Sequence, residues 1–586
     1  RTVGYGADTG SIADLEAAEL LIIVGSNTAE SHPVIATRLK RAKKLRGQTH
    51  LVADLRKNEM AQRADMFVKP EPGTDMIWLN AVAKTIIEMG RADDAFIQAN
   101  VENYDDYVAS LEPFTMAFAE QRCGLSREEL DRMVDMVLEA NTICGIWAMG
   151  VTQHTMGADT ATALCNLLLV TGNFGKFGTG GYPMRGHNNV QGASDMGCMP
   201  DRFPGYDFIS DDTVRVRYED AWGVELPTGK GLNNHEMVTT IHDGDLKSLY
   251  VVGEDMGIVD SDALHVQSAF EKLDFMVVQD MFFSRTCEYA DVVLPASPSV
   301  EKEGTFVNTE RRIQRLYEVF PPLGDSRPDW RIHTELARAM GADWQYSHPS
   351  EIFHEMASLA DMFAGAHYDA LQGFNSQQWP VAADGTSQAN LYSDGQFHFD
   401  SGRARFHPVH WNEPTDQPDD EFDLHLNNGR LLEHFHEGNL TDETAGIVFK
   451  IERSFVEVSP ELAAERGVKA GSIVRLVSRR GAIKVSVEVT DRVQGKQMYM
   501  PMHGKKNIEA INVLTSFESD KDTDTPAYKE LAVKMEVLSV NGHPPLKANN
   551  QRNATPNPVS GVQVNQKWQR DDYKRPPKAR PVDSGL

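Results

Sequence analysis

The sequence predicts an α/β protein in which two doubly wound parallel-sheet units precede a carboxy-terminal β-barrel domain. Up to about residue 300, short apolar runs alternate with helical patterns, and this alternation is typical of parallel sheets. A stretch rich in Gly, Asn and Pro, residues 171–206, interrupts the alternation. After about residue 400 the apolar segments become short and closely spaced with polar turns between them, which is typical of a small barrel.

The first unit begins with the apolar run LLIIVGS, followed by the basic amphipathic helical pattern ESHPVIATRLKRAKKLRG. A second apolar run, THLVADLRK, precedes a helix over Met76–Met89, and NTICGIWAMGVTQ predicts a further strand and turn. In such sheets ligands bind at the carboxyl ends of the strands. We therefore expect a binding site where these apolar runs end.

The long Gly-rich stretch shows neither helical nor strand periodicity, and a loop of this length inside a domain is either functional or disordered. A second parallel unit is predicted from SLYVVGEDMG, FMVVQDMFFS and ADVVLPAS, and the barrel from FDLHLNNGR, GSIVRLVSRRG, AIKVSVEVTDRV and QMYMPMHG. We place three domains at residues 1–187, 188–362 and 363–541. Within the second, residues 300–328 are a candidate for packing on a preceding domain.

Composition excludes several classes of protein. The 58 basic and 85 acidic residues give a net charge of −27, which argues against a general nucleic-acid binder. No apolar run reaches the roughly 18 residues of a bilayer span. The 5 cysteines are scattered without a C-x-x-C spacing, which excludes an iron–sulfur or zinc site built from a local cysteine cluster. Their odd, sparse number favours the cytoplasm.

The two ends of the chain carry separate signals. It begins at Arg1 with neither an initiator Met nor a signal-peptide pattern, so we expect it to be part of a longer polypeptide. The tail, residues 542–586, holds 8 Lys or Arg against 3 Asp, with 7 of the 28 prolines. It is predicted to be extended and basic, either a docking arm or a solvated linker.

Gly25 ends the first apolar run, and SNTAESHP then opens a helix. Backbone amides at such a helix start can hold a pyrophosphate, but a plain strand-end turn is equally compatible because G-x-G-x-x-G is not present. At the end of the next strand, Asp54 could accept hydrogen bonds from a ribose or a guanine. Arg56 could pair with phosphate, and both residues also fit a surface salt bridge.

Four further polar groups stand out. GEDMG and VQDMF each end an apolar strand with acids that could recognise a base or cap a helix. Arg185 lies in PMRGHNNVQGASDMG with few acids beside it, and a guanidinium suits a small carboxylate. His187 could orient a group or shuttle a proton. His434 and His436 are predicted to share one face of a strand, with a polar or structural role favoured over metal binding.

Several of these segments together resemble one enzyme family. They are VGSNTAESHP, DLRKNEMAQRAD, WAMGVTQHTMG, LLLVTGNFGKFGTGGYPMRGHNNVQGASDMG, GED, VQDMF, ADVVLPAS and EGTFVNTERRIQ. The chain resembles, from Arg1 to about residue 540, the catalytic subunit of molybdenum- or tungsten-dependent formate dehydrogenases. These belong to the dimethyl sulfoxide reductase family, which binds a bis-molybdopterin guanine dinucleotide.

The resemblance implies roles for individual residues. Arg185 matches the arginine that binds the substrate carboxylate, and RGHNN favours formate over nitrate. Two departures, Leu55 where Pro is common in Asp-Pro-Arg and Met256 where Pro is frequent after GED, remove no donor or acceptor. The residues matched to the two guanine dinucleotide arms, the loop beside the cofactor and the contacts over the pterins are Gly25, Asn27, Glu30, Asp54, Arg56, Gly73, Asp75, Met149, Gly150, Gln153, Gly253, Glu254, Asp255, Gln279, Asp280, Arg430, His434, His436, Asn512, Tyr528 and Lys529.

The implied reaction is the two-electron oxidation of formate to carbon dioxide at a Mo or W centre. The implied partners are formate and an electron-accepting subunit or domain, with 4Fe-4S clusters and the Cys- or selenocysteine-His pair expected only upstream of Arg1. Two alternatives remain: another molybdopterin oxidoreductase with a different small substrate, and a non-catalytic scaffold homologue. Arg185 beside matches for both nucleotide arms argues against the scaffold.

Overall fold

A five-stranded parallel sheet forms the first part of the protein. The computed structural model describes residues 1–448, 450–451, 453–504 and 510–542, so the predicted tail from residue 543 onward lies outside the described residues. The strand order is β3-β2-β1-β5-β6. The strands are β1 (Leu20–Val24), β2 (Thr49–Ala53), β3 (Met66–Val68), β5 (Ile143–Trp147) and β6 (Gly180–Pro183), with the short β4 (Val101–Glu102) outside the sheet.

Helices cover both faces of this sheet. All five residues of β1 are buried; Leu20, Ile22 and Val24 belong to one apolar cluster, and Leu21 and Ile23 to another. This is the pattern of a doubly wound sheet, because successive side chains of a strand point to opposite faces. The helices are α1 (Ile12–Ala17), α2 (Thr28–Ser31), α3 (Pro33–Arg46), α4 (Glu59–Gln62), α5 (Asp75–Glu88), α6 (Asp94–Asn100), α7 (Tyr104–Ser110), α8 (Met116–Cys123), α9 (Arg127–Glu139), α10 (Met149–Thr152) and α11 (Gly157–Val170).

The Gly-rich stretch 171–206 contains more regular structure than its sequence predicts. It holds β6 at the sheet edge and the short helix α12 (Val190–Asp195). The β6 sequence GGYP has little strand character of its own, and its pairing with β5 supplies the order. Sequence periodicity could not show this strand, since tertiary pairing overrides local propensity.

A second parallel sheet has the strand order β7-β8-β9. Its strands coincide with the three apolar runs that predicted the second unit: β7 (Ser248–Val252), β8 (Phe275–Asp280) and β9 (Val292–Pro295). The helices of this part are α13 (Asp212–Trp222), α14 (Asn234–Asp243), α15 (Met256–Val259) and α16 (Ala263–Phe270).

A connecting region carries a small antiparallel sheet of order β10-β11-β12. Its elements are β10 (Gly304–Val307), β11 (Arg312–Leu316), α17 (Asp329–Ala339), α18 (Pro349–Leu359), β12 (Ser376–Gln378) and β13 (Ala404–Arg405), which pairs with β4. Arg311 is fully buried here. Its guanidinium donates to the backbone carbonyls of Asp8 (2.8 Å), Gln388 (3.1 Å), Ala389 (2.6 Å) and Trp379.

The last part is a closed barrel of order β14-β18-β15-β17-β16-β19. The predicted α/β fold class with a carboxy-terminal barrel is therefore confirmed. The elements are β14 (Leu424–Gly429), α19 (Ala445–Val448), β15 (Phe455–Val458), α20 (Pro460–Arg466), β16 (Ile473–Val477), β17 (Ala482–Val489), β18 (Gln497–Pro501) and β19 (Ala532–Ser539). Across the described ranges, no helix has both the length and the apolar character needed to cross a bilayer.

Candidate functional site

A deep cavity lies between the carboxyl ends of the first sheet and the barrel. It encloses about 1240 Å³ that protein atoms do not fill, including the part open to solvent. The loops after β1, β2 and β5 form one wall, and barrel residues after β14 and before β19 form the other. It gathers these predicted site residues: Gly25, Asn27, Asp54, Arg56, Gly73, Asp75, Met149, Gly150, Gln153, Arg430, His436, Tyr528 and Lys529.

Two glycines let the loops after β1 and β5 touch at this cavity. Gly25 has a φ of +53°, and its carbonyl accepts a hydrogen bond from the amide of Gly150 at 3.1 Å. A Cβ on Gly150 would lie 2.6 Å from the Gly25 carbonyl oxygen, and a Cβ on Gly25 2.6 Å from the Gly150 carbonyl carbon. Both positions therefore require glycine.

Arg56 is buried in the cavity wall rather than exposed in a surface salt bridge. Its Nε and Nη2 donate to the two carboxylate oxygens of Glu457, in β15 of the barrel, at 2.8 and 2.9 Å. Its guanidinium carbon lies 4.3 Å from the ring centroid of Tyr499. Arg492 also pairs with Glu457. Arg56 thus joins the first α/β unit to the barrel.

The acids beside Arg56 have local partners. Asp54 accepts hydrogen bonds from the backbone amide of Arg56 at 2.9 Å and from the Asn58 side chain at 3.0 Å. Burial raises the pKa of Asp54 to about 6. Glu30 lies 3.6 Å from Arg56 Nη1 and accepts a hydrogen bond from Asn27 at 2.8 Å.

On the barrel side, Lys529 is buried and its ammonium donates to the backbone and side-chain oxygens of Asn428. Burial lowers the pKa of Lys529 to about 7. The Tyr528 hydroxyl donates to the carbonyl of Val259 at 2.9 Å. Asn512 lies behind this wall, where its amide donates to Val259 at 2.7 Å and fixes α15 rather than facing the cavity.

The segment after β14 brings further titratable groups together. Arg430 Nη2 lies 2.7 Å from His436 Nε2. Glu437 is buried, and among the described residues neither of its carboxylate oxygens has a hydrogen-bond partner. Burial raises its pKa to about 7. The ring of His187 lies 4.4 Å from that of His436, so the predicted proton-carrying histidine stands at the edge of this group.

The predicted strand carrying His434 and His436 is wrong. Residues 430–444 form turns and bends, and His436 has a φ of +52°, a left-handed conformation incompatible with an extended strand. His434 turns away from the cavity: its Nδ1 lies 2.8 Å from the Thr441 hydroxyl, and its ring stacks on His503 at 4.4 Å.

Arg185 follows β6 at the rim of the cavity, between the lining residues Met184 and Gly186. Its Nε donates to Gln191 Oε1 at 3.2 Å and its Nη2 to the carbonyl of Gly6 at 2.6 Å. No residue in the described ranges accepts a hydrogen bond from Nη1. The carbonyl of Arg185 lies 2.6 Å from His32 Nε2.

The other predicted residues lie at the carboxyl ends of β7 and β8 and do not line this cavity. Glu254 is exposed. Asp255 does not cap its own helix but accepts hydrogen bonds from the Thr286 amide and hydroxyl at 2.8 and 2.7 Å. Gly253 donates its amide to the carbonyl of Gln279 at 2.8 Å. Gln279 also donates to Asp329 at 2.7 Å, and Asp280 accepts from the next backbone amide at 2.7 Å.

Sequence reasoning missed several polar residues of the site, among them His32, Glu437 and Glu457. His32 lies in the segment SNTAESHP, which the sequence identified as a helix start. The sequence did not indicate its contact with Arg185. Glu437 follows His436 directly. Glu457 lies in a strand that was not predicted, 401 residues from its partner Arg56, and no local signal pointed to it.

Comparisons with known proteins agree on a family. Residues 3–339 match the family described as "Molybdopterin oxidoreductase", and residues 424–532 match the "Molydopterin dinucleotide binding domain". The chain is 57% identical over 573 residues to "Probable oxidoreductase YjgC" of Bacillus subtilis (strain 168). It is 53% identical over 581 residues to "Putative formate dehydrogenase SAS2201" of Staphylococcus aureus (strain MSSA476).

These alignments cover 98% of this chain but only 58% and 59% of the two relatives. Among solved structures, acetylene hydratase from Pelobacter acetylenicus superposes with a TM-score of 0.72, over 91% of this chain and 79% of that one. At 16% identity this likeness shows the fold alone. The first matched region contains the five-stranded sheet and the second contains five of the six barrel strands. The chain belongs to the molybdopterin oxidoreductase family, with a molybdopterin dinucleotide-binding domain at its carboxy-terminal end.

Proposed function

We propose that this chain is the catalytic part of a formate dehydrogenase, which oxidises formate to carbon dioxide with release of one proton and two electrons. The observation that carries the proposal is Arg185, whose neighbours line the cavity and whose Nη1 has no acceptor in the described part of the chain. A guanidinium edge matches the two oxygens of a carboxylate. The names of the Staphylococcus relatives support formate as the substrate.

The cavity residues fit a pterin–guanine dinucleotide. Seven buried polar atoms of residues on its wall have no hydrogen-bond partner among the described residues: Arg56 Nη1, Arg430 Nη1, His32 Nδ1, His154 Nδ1, Asn27 Oδ1 and the two carboxylate oxygens of Glu437. Buried polar atoms usually have partners, and two of these are guanidinium donors suited to a phosphate. We assign one dinucleotide arm to this cavity.

We assign a second arm to the carboxyl ends of β7 and β8, where Gly253, Glu254, Asp255, Gln279 and Asp280 lie. The strand ends of a parallel sheet are the usual place for a nucleotide. Glu254 is the exposed acid of this group, which leaves it accessible to a guanine. Asp255, by contrast, is engaged with Thr286 and would shape the loop.

When bound, the molybdenum or tungsten centre of the bis-molybdopterin guanine dinucleotide would accept the two electrons. The residues of this chain orient the substrate: the charge of Arg185 holds the formate oxygens and directs the C–H bond toward the cavity. Burial and the neighbouring His436 and Arg430 lower the pKa of His187 to about 4, so its ring is neutral at pH 7. Iron–sulfur clusters and an electron-accepting partner belong to the proposal for the whole protein.

The test uses the full-length protein. We expect about two guanine nucleotides and one Mo or W per chain, together with formate oxidation. Replacement of Arg185 by Ala should lower kcat/KM for formate about a hundredfold, because losing a charged contact costs roughly 3 kcal/mol. The control, Arg38→Ala, removes an arginine of α3 that pairs with Glu16 of α1 and should leave turnover unchanged.

Near-normal formate oxidation by the Arg185→Ala enzyme would refute the role of Arg185 in binding the formate carboxylate. Metal and guanine without formate oxidation would favour another molybdopterin oxidoreductase, and the absence of both would favour a non-catalytic homologue.

A further inference from the structure

Arg185 stands at the end of a buried chain of hydrogen bonds that the proposed function does not use. The Asp195 network consists of Gln191, Asp195, Tyr206 and Trp379. Gln191 and Asp195 lie one turn apart on α12, directly after the Arg185 loop. Both of these side chains and Trp379 are fully buried, so an unsatisfied polar atom in the network would be costly.

The carboxylate of Asp195 sets the direction of the hydrogen bonds in this network. Its Oδ2 accepts from the Trp379 indole at 2.7 Å, and its Oδ1 accepts from the Tyr206 hydroxyl at 2.8 Å. The same Oδ1 accepts from Gln191 Nε2 at 2.7 Å. An ionised carboxylate only accepts hydrogen bonds, so it holds the amide of Gln191 with its nitrogen toward Asp195.

The orientation of Gln191 decides what Arg185 meets. With Nε2 committed to Asp195, Gln191 presents its oxygen to Arg185 Nε at 3.2 Å. The carbonyl of Gly6 takes Nη2 at 2.6 Å. These two acceptors hold the Nε side of the guanidinium. The position of Nη1, which has no acceptor among the described residues, is thereby fixed as well.

We propose that Gln191 and Asp195 are positioning residues for Arg185, which set the rotation of its guanidinium and thereby its affinity for the substrate carboxylate. The inference rests on the proposed function, because it takes formate as the ligand of Arg185. Reversal of the Gln191 amide would place a donor against the Nε–H of Arg185 and turn the guanidinium away. The expected consequence is weaker formate binding with a smaller effect on the chemical step.

The experiment compares two near-isosteric variants of the full-length enzyme. Asp195→Asn offers Gln191 an amide donor and reverses the polarity, whereas Gln191→Met removes the acceptor. Each should raise the KM for formate about tenfold or more, with kcat changed less than KM. The dissociation constant of formate, measured by calorimetry without an electron acceptor, should rise by a similar factor.

Gln48→Met is the matched control. Gln48 is also buried and hydrogen-bonded, but it precedes β2 at the opposite end of the sheet. Its replacement should leave the KM unchanged. The unfolding temperature shows whether Asp195→Asn folds. If it does not, the test uses Gln191→Met and Trp379→Phe. The Trp379→Phe variant removes one hydrogen-bond donor to Asp195.

The outcomes separate the two proposals. A wild-type enzyme that does not oxidise formate overturns the proposed function. A wild-type enzyme that does, with unchanged KM and formate affinity in the folded variants, overturns only the positioning role. Equal losses of kcat at constant KM would also overturn it, because they would indicate a role in the chemical step or in general structure.

Discussion

Burial of Lys529 in the cavity brings the pKa of its side chain close to neutral pH. Its pKa is lowered to about 7, whereas burial raises the pKa of Glu437 to about 7 and that of Asp54 to about 6. All three side chains line the cavity. As the pH falls from 8 to 6, Lys529 gains positive charge while the two carboxylates lose negative charge. Each change makes the cavity more attractive to an anion.

We therefore expect cofactor-free protein to bind a guanine phosphodiester more tightly at pH 6 than at pH 8, by roughly tenfold. Cyclic guanosine monophosphate is a suitable probe in calorimetry, since its own charge is constant over this range. The Lys529→Met variant should show a weaker pH dependence. Affinity that is constant or increases with pH would contradict the assignment of these groups to the anion site.

Residue types at the site were predictable from sequence, but their partners were not. Arg185 and Arg56 both stood out as phosphate- or carboxylate-binding candidates. The structure shows that two nitrogens of Arg56 donate hydrogen bonds to the carboxylate of Glu457. A contact between residues so distant in sequence depends on how the barrel closes, and this is not encoded in any local pattern.

The loops after β1 and β5 meet only because Gly25 and Gly150 lack side chains. We expect Gly150→Ala to destabilise the protein by about 1–3 kcal/mol, because its Cβ would collide with backbone on the opposite loop. Loop separation should also weaken guanine nucleotide binding. Urea unfolding of the cofactor-free chain measures the first effect, and calorimetry measures the second.

Gly229→Ala is the control for this substitution. Its Cβ would meet no atom of the described residues within 4 Å, and its φ is not positive, so stability should change by less than about 0.5 kcal/mol. Equal stability of the two variants would show that the loops can separate without cost.

Secondary structure was predictable where periodicity was strong. The basic pattern after LLIIVGS became α3, Met76–Met89 became α5 with a shift of one residue, and the apolar runs became strands. β6 was missed because its GGYP sequence gains order from β5. The strand at His434 was wrong because His436 has a positive φ, which an extended strand does not accommodate. The boundaries of the three domains remain predictions.

At the scale of the whole molecule, the Arg56–Glu457 ion pair fastens the barrel to the first α/β unit. Both side chains are nearly inaccessible, at 3% and 0% exposure. We expect Glu457→Gln to cost about 3–5 kcal/mol in chemical denaturation, because it removes the carboxylate that accepts two hydrogen bonds from the buried Arg56 and leaves only Glu30, at 3.6 Å, as a counter-charge. The double variant Arg56→Met, Glu457→Leu should recover much of this loss, since it removes both charges.

Glu536→Gln provides the comparison within the same barrel. Glu536 pairs with Arg475 at 3.2 Å, with the two side chains 42% and 51% exposed, and the loss should be at most about 1 kcal/mol. If Glu457→Gln destabilised no more than Glu536→Gln, the buried pair would not hold the two parts together.

The arrangement of two parallel sheets and a barrel followed from sequence alone, since alternating and closely spaced apolar runs distinguish these classes. How the parts enclose a cavity did not follow. That depends on Arg56, Asn512 and Tyr528, whose partners lie in other parts of the fold.

The carbonyl contacts of Arg311 also bear on the order in which the protein forms during synthesis. Arg311 ties the segment around Asp8 to Gln388 and Ala389, and Gly6 of that same segment holds Arg185. The segment around Asp8 therefore stays without its final anchor until the ribosome has reached Ala389. Such distant contacts slow folding, so we expect the hydrogen bonds around Arg185 to be among the later features of the protein to form.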